Sequence, residues 1–351
     1  MNNPMSSLGG LDLLMNVLQT PVQAVTRLFD WDVEERDLFT KYQYSSTMDS
    51  DEYGYSEHYG QVSGYKAITR SGGDPNDQVL HVAPISYQII SNAQFEDIIA
   101  DYEKIGCSYI DHGEFNNGRQ LWCQLESNEL APWLVGDTDQ GKTRITLVTS
   151  HNGSLALKVL LMMERVFCAN QLPFFSKAKN VGFVIKHTKS AESRISLARQ
   201  QISAIGDLAR QAVESFQLLN ATPINVRENE AFFSGLFGMK KEIRFSQIDG
   251  ITVPSAIPEY SGKAVNMLNA LGDAYSHDLQ SDLGNNAWRL LNAVTYYVDH
   301  SPHIREGRRN KGYSMTGAGA MIKHRAYTKL IERAKIGGSI ISGWQPSGLI
   351  Q

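Results

Sequence analysis

The sequence predicts an α+β protein, with a mainly antiparallel sheet in the N-terminal half and a helical C-terminal half packed on or beside it. Two observations carry this reading. Before Lys189, β-branched and aromatic runs alternate with turn signals, and Asn117-Gly118 and Asn152-Gly153 supply dipeptides that tolerate positive φ in tight antiparallel hairpins. Beyond Lys189, apolar residues recur at steps of three and four, the period of a helix with one buried face.

Taken in order, a helix is expected over 11–29, broken or kinked near Pro21, where the ring removes a backbone donor. Strands follow over 31–44, 65–69, 79–90, 107–111, 120–126, 145–149 and 155–161, interrupted by one helix over 93–105. Ile195, Ile202, Ile205, Ala209, Ala212, Phe216 and Leu219 then mark a long amphipathic helix that ends before Pro223. Further helices are expected over 262–275, 285–300 and 317–335. The chain therefore divides into an N-terminal helical segment (1–30), a β-rich region (31–189), a helical basic region (190–335) and a Gly-rich tail (336–351). A length of 351 residues allows two lobes or one elaborate domain with a sizeable core.

Composition narrows the class. The longest apolar run, 155–163, is interrupted by Lys158, so no membrane span is expected, and the start of the chain lacks the basic region and cleavage site of a secretory signal. A cytoplasmic location follows. Cys107, Cys123 and Cys168 are odd in number and lack C-x-x-C spacing, so they read as buried thiols and not as a disulfide framework or a zinc site.

The net charge of −4 conceals an asymmetry. Residues 1–140 hold 7 Lys+Arg against 22 Asp+Glu, whereas residues 141–351 hold 26 against 15. Within 301–335, Arg305, Arg308, Arg309, Lys311, Lys323, Arg325, Lys329, Arg333 and Lys335 face only Glu306 and Glu332. Such density favours a polyanionic partner, and the alternative is docking of the basic half on the acidic half, within one chain or between copies.

Three motifs bear on chemistry. Gly136 to Thr143 satisfies G-x-x-x-x-G-K-[ST], the pattern of a phosphate-cradling loop. That loop needs a helix after it, yet Arg144 to Thr149 is a β-branched run, and Asp137 and Asp139 would repel a triphosphate. The stretch is therefore expected to be a solvated interstrand loop. The second motif is the expected helix over 285–300, in which Asn285, Trp288 or Arg289, Asn292, Thr295 or Tyr296, and Asp299 share one stripe opposite Leu291, Val294 and Val298. Asp299, His300 and His303 could ligate a metal only across a helix end at Pro302, and no further ligand cluster supports it. No metal or cofactor is implied. In the third, Ser314 to Ala320, glycines and a hydroxyl precede a helix beside Lys323 and Arg325, which suits either a phosphate contact or close helix packing that needs small residues. The acidic, tyrosine-rich 49–55 lacks calcium-loop spacing and reads as a hairpin extension, and Cys168, His187 and Asn170 carry no sign of convergence as a thiol nucleophile.

Ser150-His151-Asn152-Gly153-Ser154, Arg165 to Asn170, His187-Thr188, Ala287-Trp288, Asn292 to Thr295 and Asp299-His300, in this order, resemble the successive signatures of a phage- and plasmid-borne family, the domain of unknown function 932. Stretches 31–40 and 67–92, with Tyr87 and Asn92, are also similar. The chain departs from the family's usual aspartate at Asn152, valine at Glu164 and threonine at Gln171, which puts a carboxylate role at position 152 in doubt. The resemblance brings no established reaction. With the basic C-terminal half, it implies a nucleic-acid-binding protein of mobile elements, a single-strand annealing or recombination accessory factor that assembles as a homo-oligomer and favours single-stranded DNA. Arg305, Arg308, Arg309, Lys311, Lys323 and Arg325 would neutralise phosphates, and Tyr313 or another exposed aromatic would stack on bases. The alternative is an enzyme acting on a nucleotide or nucleic acid, with the signature polar residues Asn152, Arg165, Asn170, His187, Trp288, Asn292, Asp299 and His300 forming a pocket. Asp299, His300 or His187 would then be the acid–base candidates. A phage structural or host-inhibitor protein is a third class.

Overall fold

The computed structural model describes residues 27–46, 54–72, 79–167, 170–174, 191–243, 245–248, 251–254, 257–300 and 311–337. Every strand pair among them is antiparallel, and helices dominate after residue 190, so the chain is α+β as the periodicity predicts.

A first sheet comprises β1 (Val33–Ser46), β2 (Gly54–Arg70) and β3 (Val79–Pro84) in that order. Helix α1 (Asn92–Glu103) follows, started by a capping box between Ser91 and Gln94. The expected strand 79–90 stops at Pro84, whose missing N–H cannot extend the ladder, and the chain turns toward the Ser91 cap.

The second sheet has six strands. They are β4 (Cys107–Phe115), β5 (Gln120–Ser127), β6 (Trp133–Val135), β7 (Asp139–Ser150), β8 (Lys158–Arg165) and β9 (Gln171–Phe174). The order is β4-β5-β7-β8-β9, with β6 paired to the start of β7. Asn117-Gly118 and Asn152-Gly153 occupy the β4–β5 and β7–β8 turns, with positive φ at Asn117, Gly118 and Gly153. Alternate residues of a strand face opposite ways, and here both faces are buried, which is why the middle of β8, Val159 to Met163, reads as a continuous apolar run. One face carries Leu121, Leu125, Ile145, Leu147 and Leu161, and the other Trp122, Val148, Leu160 and Met162.

The helices are α2 (Ala191–Asn220), α3 (Val226–Phe237), α4 (Gly262–Ser276), α5 (Ala287–His300), the short α6 (Lys311–Met315) and α7 (Ala318–Gly337). Two small hairpins lie between α3 and α4: β10 (Lys241–Glu242) with β13 (Glu259–Tyr260), and β11 (Phe245–Ile248) with β12 (Ile251–Pro254). The first sheet face joins Ile99 of α1, Ile202 and Phe216 of α2, Leu291 and Val294 of α5 and Leu330 of α7 in one core. Each such side chain contributes about 1.5–3 kcal/mol by leaving water. Met315 of α6 joins the cluster on the other face.

Among the described residues β3 pairs only with Tyr65 to Thr69 of β2. The partnered stretch beyond the bulge at Asp37/Phe39 is thus a two-stranded ribbon, along which Phe39, Tyr42 and Tyr59 are exposed (56%, 51% and 64%). The expected helix over 11–29 lies almost wholly outside the described residues, and β6, β9, α3 and the small hairpins are additions to the sequence reading.

Candidate functional site

The stretch Gly136 to Thr143, which matches the phosphate-loop pattern, resolves into a turn and a strand. Val135 pairs with Asp139 across a tight β6–β7 connection, and β7 then runs unbroken to Ser150, so no helix N-terminus faces the loop. Gly141 is required by packing, because a Cβ there would fall inside the Trp133 ring. Lys142 lies half-exposed 3.4 Å from Glu126. Only part of the expected solvated loop is solvated: Asp139 is 2% exposed.

Asp139 belongs to a buried polar network that joins the sheet to the helices. Arg165, at the end of β8, donates from Nε to both Asp139 oxygens at 2.7 and 3.0 Å, and the Trp288 indole of α5 donates to Oδ2 at 2.6 Å. The Trp288 ring packs at a tilt against Phe216 of α2, with centroids 4.4 Å apart. One turn along α5, Asn292 donates to the Trp288 carbonyl at 2.9 Å, while Asn170 donates to the Asn292 carbonyl at 3.4 Å. Two turns further, Asp299 accepts from the Gln171 backbone N–H at 3.1 Å, from the Ser314 hydroxyl and from the Lys323 ammonium. Lys323 also donates to the Gln171 carbonyl and to Ser314 Oγ, both at 2.6 Å. Lys323 is fully buried, and that burial pushes its pKa below the ordinary lysine value against the pull of Asp299.

Five of the eight signature polar residues, Arg165, Asn170, Trp288, Asn292 and Asp299, are thus strung along one side of α5 by hydrogen bonds. Each is hydrogen-bonded to another protein group, and the charged ones are matched in pairs. The arrangement docks α5 and α7 on the β7–β9 edge and leaves its acid and base groups engaged with each other. Sequence reasoning names Asp139, Ser314 and Gln171 in other roles but misses their place in this network, because their partners lie 9 to 152 positions away along the chain.

The other expected residues are dispersed. Asn152 sits in the β7–β8 turn and accepts from Ser154 N and Oγ at 3.2 and 2.6 Å, a job an aspartate would also perform. The Glu164 and Gln171 departures face each other across β8–β9 and share a 2.6 Å hydrogen bond, so the two differences form one local exchange. His300 is exposed at the end of α5 with its ring on Tyr296, centroids 4.7 Å apart. His187, Arg305, Arg308 and Arg309 lie outside the described residues, as does the side chain of Lys311.

Two members of the expected phosphate set are displaced. Lys323 has no surface to offer a phosphate because its ammonium is spent on Asp299, Ser314 and Gln171. Tyr313 packs over Gly319, where a Cβ would come within 2.7 Å of both the tyrosine ring and Val298, so the small residues before α7 serve close packing. Arg325 does remain exposed. With Lys329 and Arg333 it forms a stripe at i, i+4 steps on α7, opposite the buried Lys323, Ala326, Leu330 and Ala334. Arg333 pairs with Glu228, while Arg325 and Lys329 form no ion pair among the described residues.

His151 is a further buried group. Neither ring nitrogen has a partner in hydrogen-bonding geometry among the described residues, and the ring lies edge-on to Trp31 at 5.6 Å. Burial lowers its pKa to about 4, against weaker upward pulls from the Asp32 carboxylate and the Ile90 carbonyl. Among the described residues no group of three His, Cys, Asp or Glu side chains is placed to hold a metal ion, and no helix is long and apolar enough to cross a membrane.

An antiparallel sheet clamped to a helical layer by buried charges defines the class. The chain belongs to the family described as domain of unknown function (DUF932), matched over residues 79–317. No curated protein and no solved structure matches it. The matched segment contains the six-stranded sheet and α1 to α6, whereas the β1–β2 ribbon and the whole of α7 flank it.

Proposed function

We propose that the protein binds nucleic acid, single-stranded DNA by preference, as an annealing or recombination accessory factor of a mobile element. The observation that carries this reading is the stripe Arg325, Lys329 and Arg333 on the outward face of α7, with two cations free of ion pairs among the described residues. Arg305, Arg308 and Arg309 stand close by in sequence and add to the same positive character. Cations at this spacing track a phosphate backbone without reading bases, which suits sequence-independent binding. Stacking faces are offered by Phe39, Tyr42 and Tyr59 of the ribbon, which replace Tyr313 in that role.

The test is an oligonucleotide titration of Arg325→Ala/Lys329→Ala against the wild type. Loss of two phosphate contacts should weaken binding and make the log K against log[salt] slope shallower by about 1.4 for a single strand. A folded double variant with unchanged affinity and slope would remove α7 from the binding surface.

A further inference from the structure

Most of helix α5 is buried, and the side chains it turns outward are Arg289, Tyr296, Asp299 and His300. Asp299 is taken up by Lys323, Ser314 and Gln171. The other three stand in one row, because steps of seven and four residues return to the same side of a helix. All three end in a flat π system, at positions where a globular protein usually places flexible charged side chains.

Tyr275 and His277, at the C-terminal end of α4, widen the row. The Arg289 guanidinium lies over the Tyr275 ring at 4.4 Å and donates from Nε to the Tyr275 carbonyl at 2.9 Å. Tyr296 Oη and His277 Nε2 are 3.0 Å apart, with ring centroids at 4.6 Å. Tyr296 also meets His300 at 4.7 Å, so His277, Tyr296 and His300 form a continuous run of rings. The run is open at His300, which is exposed and makes no hydrogen bond among the described residues. Arg289 forms no ion pair among them. Rings beside an unmatched cation fit a nucleobase on an anionic backbone, since every base offers a π face whatever the sequence. An apolar protein partner would be met by aliphatic side chains, and the row has none. Helix α7, which carries Arg325 and Lys329, packs on α5 through Lys323 and Asp299, so rings and phosphate-binding cations stand on adjoining helices.

We infer that the outward row of α5 is a base-stacking track, in which a nucleobase of a bound single strand lies on the His300 ring and continues the run through Tyr296 to His277. The inference rests on the nucleic-acid reading and deepens it, with α7 holding phosphates and α5 holding bases. The test compares oligothymidylate with an equally long strand of abasic residues, which keeps the phosphates and lacks the bases. The full wild-type chain should bind oligothymidylate more tightly. His300→Ala should weaken that binding about fivefold or more and leave affinity for the abasic strand unchanged, whereas His300→Phe, a flat ring without charge, should restore it. His300 is exposed at the end of α5, so the alanine variant should keep the wild-type circular dichroism. Strands carrying 5-iodouracil should photo-crosslink within 296–300, as located by mass spectrometry of the digested adduct. Four results would overturn the track: wild-type affinity for oligothymidylate in folded His300→Ala, an equal loss on the abasic strand, a His300→Phe variant no better than His300→Ala, or crosslinks confined to other segments. Each leaves the nucleic-acid reading to its own test on Arg325→Ala/Lys329→Ala. Failure of the wild type to bind any single strand would overturn both.

Discussion

Replacing Arg165 and Asp139 singly and together tests whether the family's polar residues act as a clamp. Their side chains are 3% and 2% exposed, so neither charge can turn to water if its partner is removed. Arg165→Met leaves the carboxylate with the Trp288 N–H at 2.6 Å as its remaining Asp139 contact described above, and Asp139→Leu leaves a buried guanidinium. Breaking a buried pair from one side costs about 3–5 kcal/mol, a large share of the roughly 5–15 kcal/mol that holds a domain folded. The double variant removes both charges. Its principal loss is then the acceptor of the Trp288 N–H, about 1–3 kcal/mol. Urea unfolding followed by circular dichroism should therefore rank the double variant as more stable than either single one. Additive losses, with the double variant lower by the sum of the singles, would refute the clamp.

Other expectations follow from individual groups. The folded state keeps His151 neutral, so its contribution is complete above pH 6.5 and is lost as the pH falls from 6.5 toward about 4, a difference of about 3 kcal/mol. Urea midpoints of wild type and His151→Phe between pH 7 and 4 should show the smaller decline in the variant, and equal declines would contradict this assignment. Lys142→Ala should change unfolding free energy by less than about 0.5 kcal/mol, because its ion pair with Glu126 is half-exposed, and saturable ATP binding abolished by the substitution would restore the phosphate-loop reading. Gly319→Ala should cost about 1–3 kcal/mol by forcing Tyr313 and Val298 apart, and a neutral effect in thermal unfolding would dismiss the packing role.

The parts of the fold legible in sequence are those set by local rules. Asn117-Gly118 and Asn152-Gly153 announce two hairpins, and the spacing from Ile202 to Leu219 announces the buried face of α2. Three-residue β6 carries too little pattern to be seen, and the α3 cap formed by Asn225 and Glu228 precedes a helix with little periodic signal. The site divides the same way. The stripe on α5 is visible from helical spacing, and Trp288, Asn292 and Asp299 do share the network. In sequence Lys323 is indistinguishable from its surface neighbours because its burial depends on Asp299 and Gln171 arriving from α5 and β9, which no window of sequence contains. Asp139 reads as a solvated loop carboxylate for the same reason.

The most direct test of the central claim is a titration of the wild-type protein with single-stranded and duplex oligonucleotides at several salt concentrations. If Arg305, Arg308, Arg309, Arg325 and Lys329 each neutralise one phosphate, log K should fall with log[salt] at a slope of about −3.5 on the single strand, with tighter binding there than on the duplex. No saturable binding to either oligonucleotide at low salt would contradict the nucleic-acid function outright.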